Sequence, residues 1–134
     1  MEIRQLDPAV YAGRKFTARY RTKGYYDICA AEDGFRLRYV PLGAPMEKPF
    51  DDEFFGEWLE EPVALGTLLM QAIQRAAEAA GARMIVLETQ TCNENAIAFY
   101  KRNGFSIIGF DLYSYSNDDP ERHEVRIEMG KKLK

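Results

Sequence analysis

The chain has 134 residues, 46% of them hydrophobic, which is enough for one hydrophobic core and predicts a single domain over residues 1–134. Its formal net charge is -3 and its acidic residues are spread along the chain, which argues against nucleic acid as a partner. No apolar run approaches the ~20 residues of a membrane span, so we expect a soluble, cytoplasmic protein that does not bind membranes.

The first predicted element is a β-hairpin. Residues 25–30 and 35–40 alternate in polarity and flank Asp33-Gly34, a dipeptide that readily adopts the positive φ angles of a tight turn. Phe35 and Leu37 fall on one face of the second strand, as in a sheet with one buried side. Three prolines are expected to end this strand: Pro41, Pro45 and Pro49.

Two helices are predicted next. Residues 51–59 begin with three carboxylates, which a helix N-terminus favours, and predict a short helix. The following segment predicts a long amphipathic helix that stops at Gly81. Its apolar positions recur at helical spacing: Leu68, Leu69, Ala72, Ile73, Ala76 and Ala80.

The C-terminal half predicts strand, helix and hairpin. Residues 84–87 form a continuous apolar run, typical of a central strand covered on both faces. Residues 93–102 predict a helix that begins at a capping residue and ends at an Asn-Gly pair. Residues 105–115 and 125–129 predict two strands joined by a polar turn.

The most specific pattern lies between Leu87 and Phe105. Six positions follow the order Asn-x-x-Ala-x-x-(Leu/Phe)-Tyr-x-x-x-Gly-Phe: Asn93, Ala96, Phe99, Tyr100, Gly104 and Phe105. This pattern resembles the C-terminal half of GNAT N-acetyltransferases, and residues 109–117 are similar to the branch that contains streptothricin and related antibiotic acetyltransferases. The resemblance implies an α+β (α/β-like) fold: a GNAT-like mixed sheet flanked by helices, with an N-terminal and a C-terminal β-hairpin, truncated in its central part.

The resemblance also implies roles for individual residues. Asn93 would hold the arm of acetyl-CoA, and Tyr100 would be the catalytic acid that protonates the departing sulfur. Further contacts with acetyl-CoA, the co-substrate, would come from Gly66, Thr67, Leu87 and Phe99. By spacing alone, Asn93 fits a simple helix cap better and Tyr100 a packed aromatic residue better, because both of these roles are common.

One part of the family pattern is missing. GNAT enzymes bind the pyrophosphate of acetyl-CoA on an (Arg/Gln)-x-x-Gly-x-(Gly/Ala) loop at a helix N-terminus. Residues 60–67 have no Arg or Gln at that spacing and include two carboxylates, so that only Gly66 and Thr67 match. The strands that normally precede this loop are also absent. We interpret this as an internal deletion near Gly66 or as a divergent short relative.

Two functions therefore compete. The first is transfer of an acetyl group from acetyl-CoA to a primary amine, such as that of a cationic antibiotic drawn to Asp51, Asp52, Glu53, Asp118 or Asp119. The alternative is a catalytically inactive GNAT remnant that acts as a binding or assembly module. Because loss of central strands exposes sheet edges, we also expect a homodimer, which could exchange elements between subunits.

Other candidate residues receive structural interpretations. Cys29 and Cys92 lie far apart without a Cys-x-x-Cys pair, so we expect neither a disulfide framework nor a metal site. His123, the single histidine, is interpreted as a strand residue rather than a catalyst. Glu88 is interpreted as a solvated strand end rather than a base.

Overall fold

A computed structural model describes residues 16–32, 34–52 and 63–134 of the chain. The α+β class predicted from the sequence is confirmed, as are its two hairpins. In chain order the elements of the described residues are β1 (Phe16–Ala31), β2 (Gly34–Asp52), α1 (Val63–Ala79), β3 (Met84–Gln90), α2 (Glu94–Arg102), β4 (Ser106–Asp111), α3 (Asp119–Arg122) and β5 (Arg126–Lys132).

Strands β1 and β2 form a long antiparallel hairpin, which we call the ribbon. Its turn includes Gly34, whose φ of 138° is a conformation that other residues rarely adopt. The expectation that prolines end the second strand is wrong, since Pro41 pairs with Gly24 and Pro49 with Arg19. A two-stranded ribbon leaves one side of β2 unpaired, and a residue without an N–H group is tolerated there.

The predicted short helix at residues 51–59 is only partly covered by the structure. Asp51 and Asp52 belong to β2, where they pair with Thr17 and Phe16, so the helix does not begin at these carboxylates. Residues 53–59 lie outside the described part of the chain.

The second sheet is antiparallel with the strand order β3-β5-β4. The apolar strand at residues 84–87 is confirmed, but its predicted central position is wrong within the described residues, because β5 lies in the middle. Val86 is 53% exposed, so β3 is not covered on both faces. The strand predicted at residues 105–115 ends earlier, at Asp111, and α3 lies within the polar connection to β5.

The core lies on one face of this sheet. Four fully or almost fully buried side chains form it: Ile97, Phe105, Ile127 and Met129. Helix α2 contributes Ile97, and α1 adds Met70 at its side. Helix α1 is followed by Gly81, whose φ is 72°, which confirms the predicted stop. Among the described helices, none combines the length and apolarity that crossing a bilayer requires.

Candidate active site

Asn93 begins the candidate site at the point where β3 turns into α2. Its Oδ1 accepts a hydrogen bond of 3.2 Å from the backbone N–H of Ala96, which makes it the N-cap of α2. Glu94 adds a carboxylate in the first turn, where the helix dipole favours negative charge. The predicted helix is confirmed with its cap. Since the cap uses Oδ1, the Nδ2 group of the same amide is the donor that could bind a ligand.

Tyr100 lies seven residues further along α2, close to two full turns, so it shares the helix face of Asn93 about 10 Å along the axis. Its ring is half-buried beside the rings of Phe99, at 5.6 Å between centroids, and Phe105, at 6.1 Å. Burial raises the pKa of Tyr100 above the ordinary value of a phenol, so that the hydroxyl stays protonated at neutral pH. The helix thus aligns an amide and a phenolic proton donor on one face.

The first turn of α1 approaches α2 at Gly66. A Cβ atom built on Gly66 would lie 3.0 Å from Cζ of Phe99, so the missing side chain is what allows this contact. Two residues named separately from the sequence, Gly66 and Phe99, are therefore brought together. Thr67, the next residue, is half-buried in the same helix. Packing alone gives a sufficient reason for glycine at this position.

The N-terminus of α1 offers only part of a phosphate site. The first backbone N–H groups of any helix lack intrahelical acceptors, and the first turn of α1 has no acidic residue to repel an anion. No described side chain of that turn supplies a positive charge, in keeping with the lack of an arginine or glutamine in the sequence.

Strand β3 carries Leu87, whose side chain packs against the core cluster. Thr91 donates its N–H to the carbonyl of Val125 at 2.9 Å, and Arg83 accepts from the N–H of Leu133 at 3.0 Å. In an antiparallel ladder the direction of these groups alternates, so the backbone of Leu87 also points toward β5.

The outward backbone groups of β3 belong to the alternate residues, which sequence reasoning missed. A ligand that ran along the side of β3 on which no described strand pairs would meet the N–H and C=O groups of Val86 and Glu88 rather than those of Leu87. The pairing register with β5 is the information needed to see this, and the apolar run at residues 84–87 does not contain it.

The ribbon is fastened to the turn between β3 and α2. The N–H of Tyr26 donates to the carbonyl of Thr91 at 3.0 Å, and the hydroxyl of Tyr20 lies 3.0 Å from Oε1 of Gln90 and 3.2 Å from Sγ of Cys92. Burial raises the pKa of both Tyr20 and Cys92, so both groups are neutral at pH 7. This cluster is a neutral, buried anchor.

A second set of contacts fixes the first turn of α2. The Nδ2 group of Asn95 donates to the carbonyl of Arg21 at 2.7 Å, and Glu94 accepts hydrogen bonds from the backbone N–H of Lys23 and the hydroxyl of Tyr39. The ribbon therefore holds in place the helix that carries Asn93 and Tyr100. Nothing in the pattern at residues 87–105 indicated this support.

Several other candidates have structural roles. The expectation that His123 is a strand residue is wrong. His123 follows α3 with a φ of 58°, and its ring stacks on that of Tyr25 at 3.6 Å between centroids. Glu88 is exposed and lies 3.6 Å from Arg126, which agrees with a solvated strand end. Asp119 is fully buried, which removes it from the acidic residues that could attract a cation. Within the described ranges, no group of His, Cys, Asp or Glu residues is placed to hold a metal ion.

Comparison with known proteins agrees with this geometry. Residues 64–105 match the model of the acetyltransferase (GNAT) family. The crystal structure of nourseothricin acetyltransferase is similar to this chain with a TM-score of 0.71 and 23% identity, over 94% of this chain and 92% of that one. A Bacillus anthracis str. Ames protein designated a streptothricin acetyltransferase, solved in complex with acetyl coenzyme A, has a TM-score of 0.65 and 15% identity, over 87% and 88% of the two chains.

At these identities the structural likeness establishes the fold. None of the curated protein sequences matches the chain significantly. The resemblance to GNAT acetyltransferases that residues 87–105 predicted is confirmed by the family match over residues 64–105, and the two solved structures confirm a GNAT-like fold.

Proposed function

From the GNAT fold and the GNAT sequence pattern of this chain, we propose that it transfers an acetyl group from acetyl-CoA to a primary amine. The observation that supports this most is the placement of Asn93 and Tyr100 on one face of α2, immediately after β3. The free cysteines Cys29 and Cys92 suit a reducing compartment, and we place the activity in the cytoplasm.

In the proposed reaction, acetyl-CoA supplies an activated acetyl thioester. The neutral amine of the acceptor forms the new C–N bond, the C–S bond breaks, and the amine releases its extra proton to solvent. Tyr100 donates its phenolic proton to the leaving sulfur. Its raised pKa keeps the hydroxyl protonated at neutral pH, as this role requires. The phenol is then restored by a proton from solvent.

The described residues fit the arm of acetyl-CoA better than its phosphates. Asn93 keeps Nδ2 available while Oδ1 caps the helix, and the edge of β3 offers the backbone groups of Val86 and Glu88. The pyrophosphate would have to be held by the first backbone N–H groups of α1, near Gly66 and Thr67, without help from a cationic side chain of that turn. We therefore expect binding that is saturable but weak.

For the acceptor we propose a cationic antibiotic of the streptothricin class. The names of the two structural relatives support this choice, and the net charge of -3 favours a cationic ligand. Asp118 is exposed and remains available to attract such a ligand, whereas Asp119 is not.

Calorimetry with acetyl-CoA and a thiol-release assay with nourseothricin as acceptor test this proposal. Tyr100→Phe should lower kcat by about 100-fold, the smaller end of general-acid effects, with acetyl-CoA affinity unchanged. Asn93→Ala should weaken acetyl-CoA binding, and Asn93→Ser is its matched control, because serine keeps the cap but lacks the amide. Equal loss in both variants supports a role of the amide; recovery in Asn93→Ser shows that only the cap matters. If acetyl-CoA shows no saturable binding at millimolar concentration, the proposal that the chain is an acetyltransferase is overturned.

A second function, that of a non-catalytic assembly module, is favoured by one observation. Strand β3 has a neighbouring strand on one side only within the described residues, so its other side presents a row of backbone donors and acceptors. An inactive remnant that retains this edge would still associate with other chains. If the chain associates with other chains but does not bind acetyl-CoA, it acts as a non-catalytic assembly module rather than as an enzyme.

A further inference from the structure

Lys131 is a charged residue on the core face of the three-stranded sheet. Along β5, Ile127 and Met129 are fully buried on that face, and the alternation of side chains places Lys131 on the same face. Its partner on β3 is Ile85, which packs against the same core. Lys131 is half-buried, so the sheet carries an ammonium group inward, whereas most lysines point into water.

Among the described residues, this ammonium group has neutral oxygen partners. Its Nζ donates to Oε1 of Gln74 at 2.7 Å and to the carbonyl of Asn103, at the end of α2, at 2.9 Å. An ammonium group has three protons, so one remains for a further acceptor. Nε2 of Gln74 donates to Oε1 of Glu78 at 2.8 Å, which fixes the amide with its oxygen toward Lys131. Glu78 is exposed, so solvent weakens the field of its carboxylate at the ammonium group.

A cavity of about 210 Å³ opens beside this ammonium group, between α1, the end of α2 and the sheet. One wall is apolar and consists of Met70, Ile85 and Phe105. Two cations, Arg102 and Lys131, belong to the lining, and no carboxylate is among the described residues that line it. Sites for drug-sized ligands have roughly 300–1,000 Å³, so this cavity suits a smaller molecule.

Both cations lack a counter-charge in the described part of the chain. Arg102 is exposed at the last position of α2, and neither Arg102 nor Lys131 forms an ion pair with a described carboxylate. A half-buried charge without a counter-charge is unfavourable, and an anion bound beside it would offset that cost. The guanidinium group adds a planar fork that can bind a carboxylate through two hydrogen bonds.

We propose that this cavity binds a small organic anion, a carboxylate attached to an apolar body about as large as one ring. The carboxylate accepts hydrogen bonds from the remaining proton of Lys131 and from the guanidinium group of Arg102. The apolar body lies against Met70, Ile85 and Phe105. A neutral molecule of the same shape leaves both cations unpaired, and an inorganic anion leaves the apolar wall in contact with water.

The cavity is separate from the groups to which we assign acetyl-CoA. At 1.5 Å per residue, Gln74 lies about 12 Å from Gly66 along α1, and Arg102 lies about 14 Å from Asn93 along α2. A bound anion would connect α1 to the end of α2 and so stabilise the folded chain. The inference therefore does not rest on the proposed acetyl transfer.

Calorimetry and thermal unfolding of the full chain with sodium benzoate test the site, at an ionic strength kept constant with sodium chloride. Benzoate should bind saturably, with one molecule per chain, and should raise Tm because it binds the folded chain. Benzamide has almost the same shape without the charge, and inorganic phosphate has the charge without the apolar body. Each should bind about tenfold more weakly than benzoate or worse.

Two variants locate the binding. Lys131→Met removes the ammonium group and keeps most of the apolar stem, and Arg102→Gln removes the second charge at an exposed position. Each should weaken benzoate binding by about tenfold or more. Lys132→Met is the matched control, because it removes the same charge from the next residue of β5, which is exposed on the opposite face of the sheet. It should bind benzoate as the unmodified chain does.

Circular dichroism checks that each variant is folded, and should Lys131→Met not fold, the comparison of Arg102→Gln with Lys132→Met decides. The proposal is overturned if benzoate shows no saturable binding at millimolar concentration, or if benzamide or phosphate binds as tightly as benzoate. Equal losses in Arg102→Gln and Lys132→Met also overturn it, because they would indicate a general effect of net charge. None of these measurements involves acetyl-CoA, so their outcome is independent of whether the chain is an acetyltransferase.

Discussion

The two sides of the three-stranded sheet differ in how completely the chain closes them. On the side of β4 and α2, Ile97 and Ile127 are completely buried, although Ile108 on the outer face of β4 is 49% exposed. Helix α2 has an N-cap, an acidic first turn and a basic last turn. On the side of β3 and α1, Ile73 and Val86 remain 41% and 53% exposed. Helix α1 has neither an acidic first turn nor a basic last turn.

This difference shows where the stability of the chain should reside. Most of the stability of a protein helix comes from packing its apolar face rather than from helix propensity. In α2 the local signals and the packing agree, whereas α1 is the longer helix and leaves part of its apolar face without a partner in the described chain. The alternative function, association, draws on the side of β3 and α1. The proposed acetyl transfer draws on both sides, since Asn93 and Tyr100 lie on α2 and the outward backbone of Val86 and Glu88 lies on β3.

The largest expected effect comes from removing the same side-chain atoms on the two sides. Ile97→Ala should lower the free energy of unfolding by about 2–5 kcal/mol, because it leaves a cavity in the closed core. Ile73→Ala, at an exposed site on α1, should cost less than about 1 kcal/mol. Urea unfolding followed by circular dichroism measures both, at a concentration low enough to keep the chain monomeric. Similar losses in the two variants would show that the α1 side is as well packed as the other.

The same contrast explains what the sequence could predict of the fold. The limits of α2 follow from signals within the helix itself, a capping Asn93 and the pair Asn103-Gly104. The positions of the strands in the sheets were harder to predict from the sequence, because they depend on partner strands elsewhere in the chain. An apolar run at residues 84–87 indicates a strand but does not show which of its sides is paired. The prolines of β2 do not end that strand, because within the described residues only one side of β2 pairs with another strand.

The candidate site divides in the same way. The pattern at residues 87–105 was sufficient to nominate Asn93 and Tyr100, since both lie on one helix with fixed spacing. The contact of Gly66 with Phe99 joins two helices, and the outward backbone of Val86 depends on the register with β5. Properties of this second kind require the tertiary structure, and the roles assigned to the nominated residues stay predictions.

An intermediate effect is expected where the two sides meet, at Gly66. Alanine favours a helix by about 1 kcal/mol over glycine, but here its Cβ would press on the ring of Phe99 at 3.0 Å. Gly66→Ala should therefore be more favourable by about 1 kcal/mol in a Phe99→Leu background than in the unmodified chain. A double-mutant cycle of unfolding free energies measures this, with Ala72→Gly as a helix control whose cost is the same in both backgrounds. A cycle without coupling would mean that the two helices do not touch at this point.

The smallest effect concerns the pH dependence of the closed side. Burial alone would raise the pKa of Asp119, but hydrogen bonds outweigh it and hold the pKa below its ordinary value. They come from the hydroxyl of Ser116 at 2.7 Å and the backbone N–H of Tyr115 at 2.8 Å. A carboxyl whose pKa is lower in the folded than in the unfolded state stabilises the protein above its unfolded pKa, and this contribution is lost as the pH falls through the folded pKa.

Unfolding free energies measured from neutral pH down into the acid range should therefore decline below about pH 4 in the unmodified chain. Asp119→Asn should be less stable at neutral pH, yet its stability should fall less on acidification, because the titrating group is gone. Asp118→Asn changes the charge equally at an exposed neighbour and should retain the slope of the unmodified chain. If both variants flatten the profile alike, the acid sensitivity reflects net charge rather than the hydrogen bonds of Asp119. The closed side would then owe its stability to apolar packing alone.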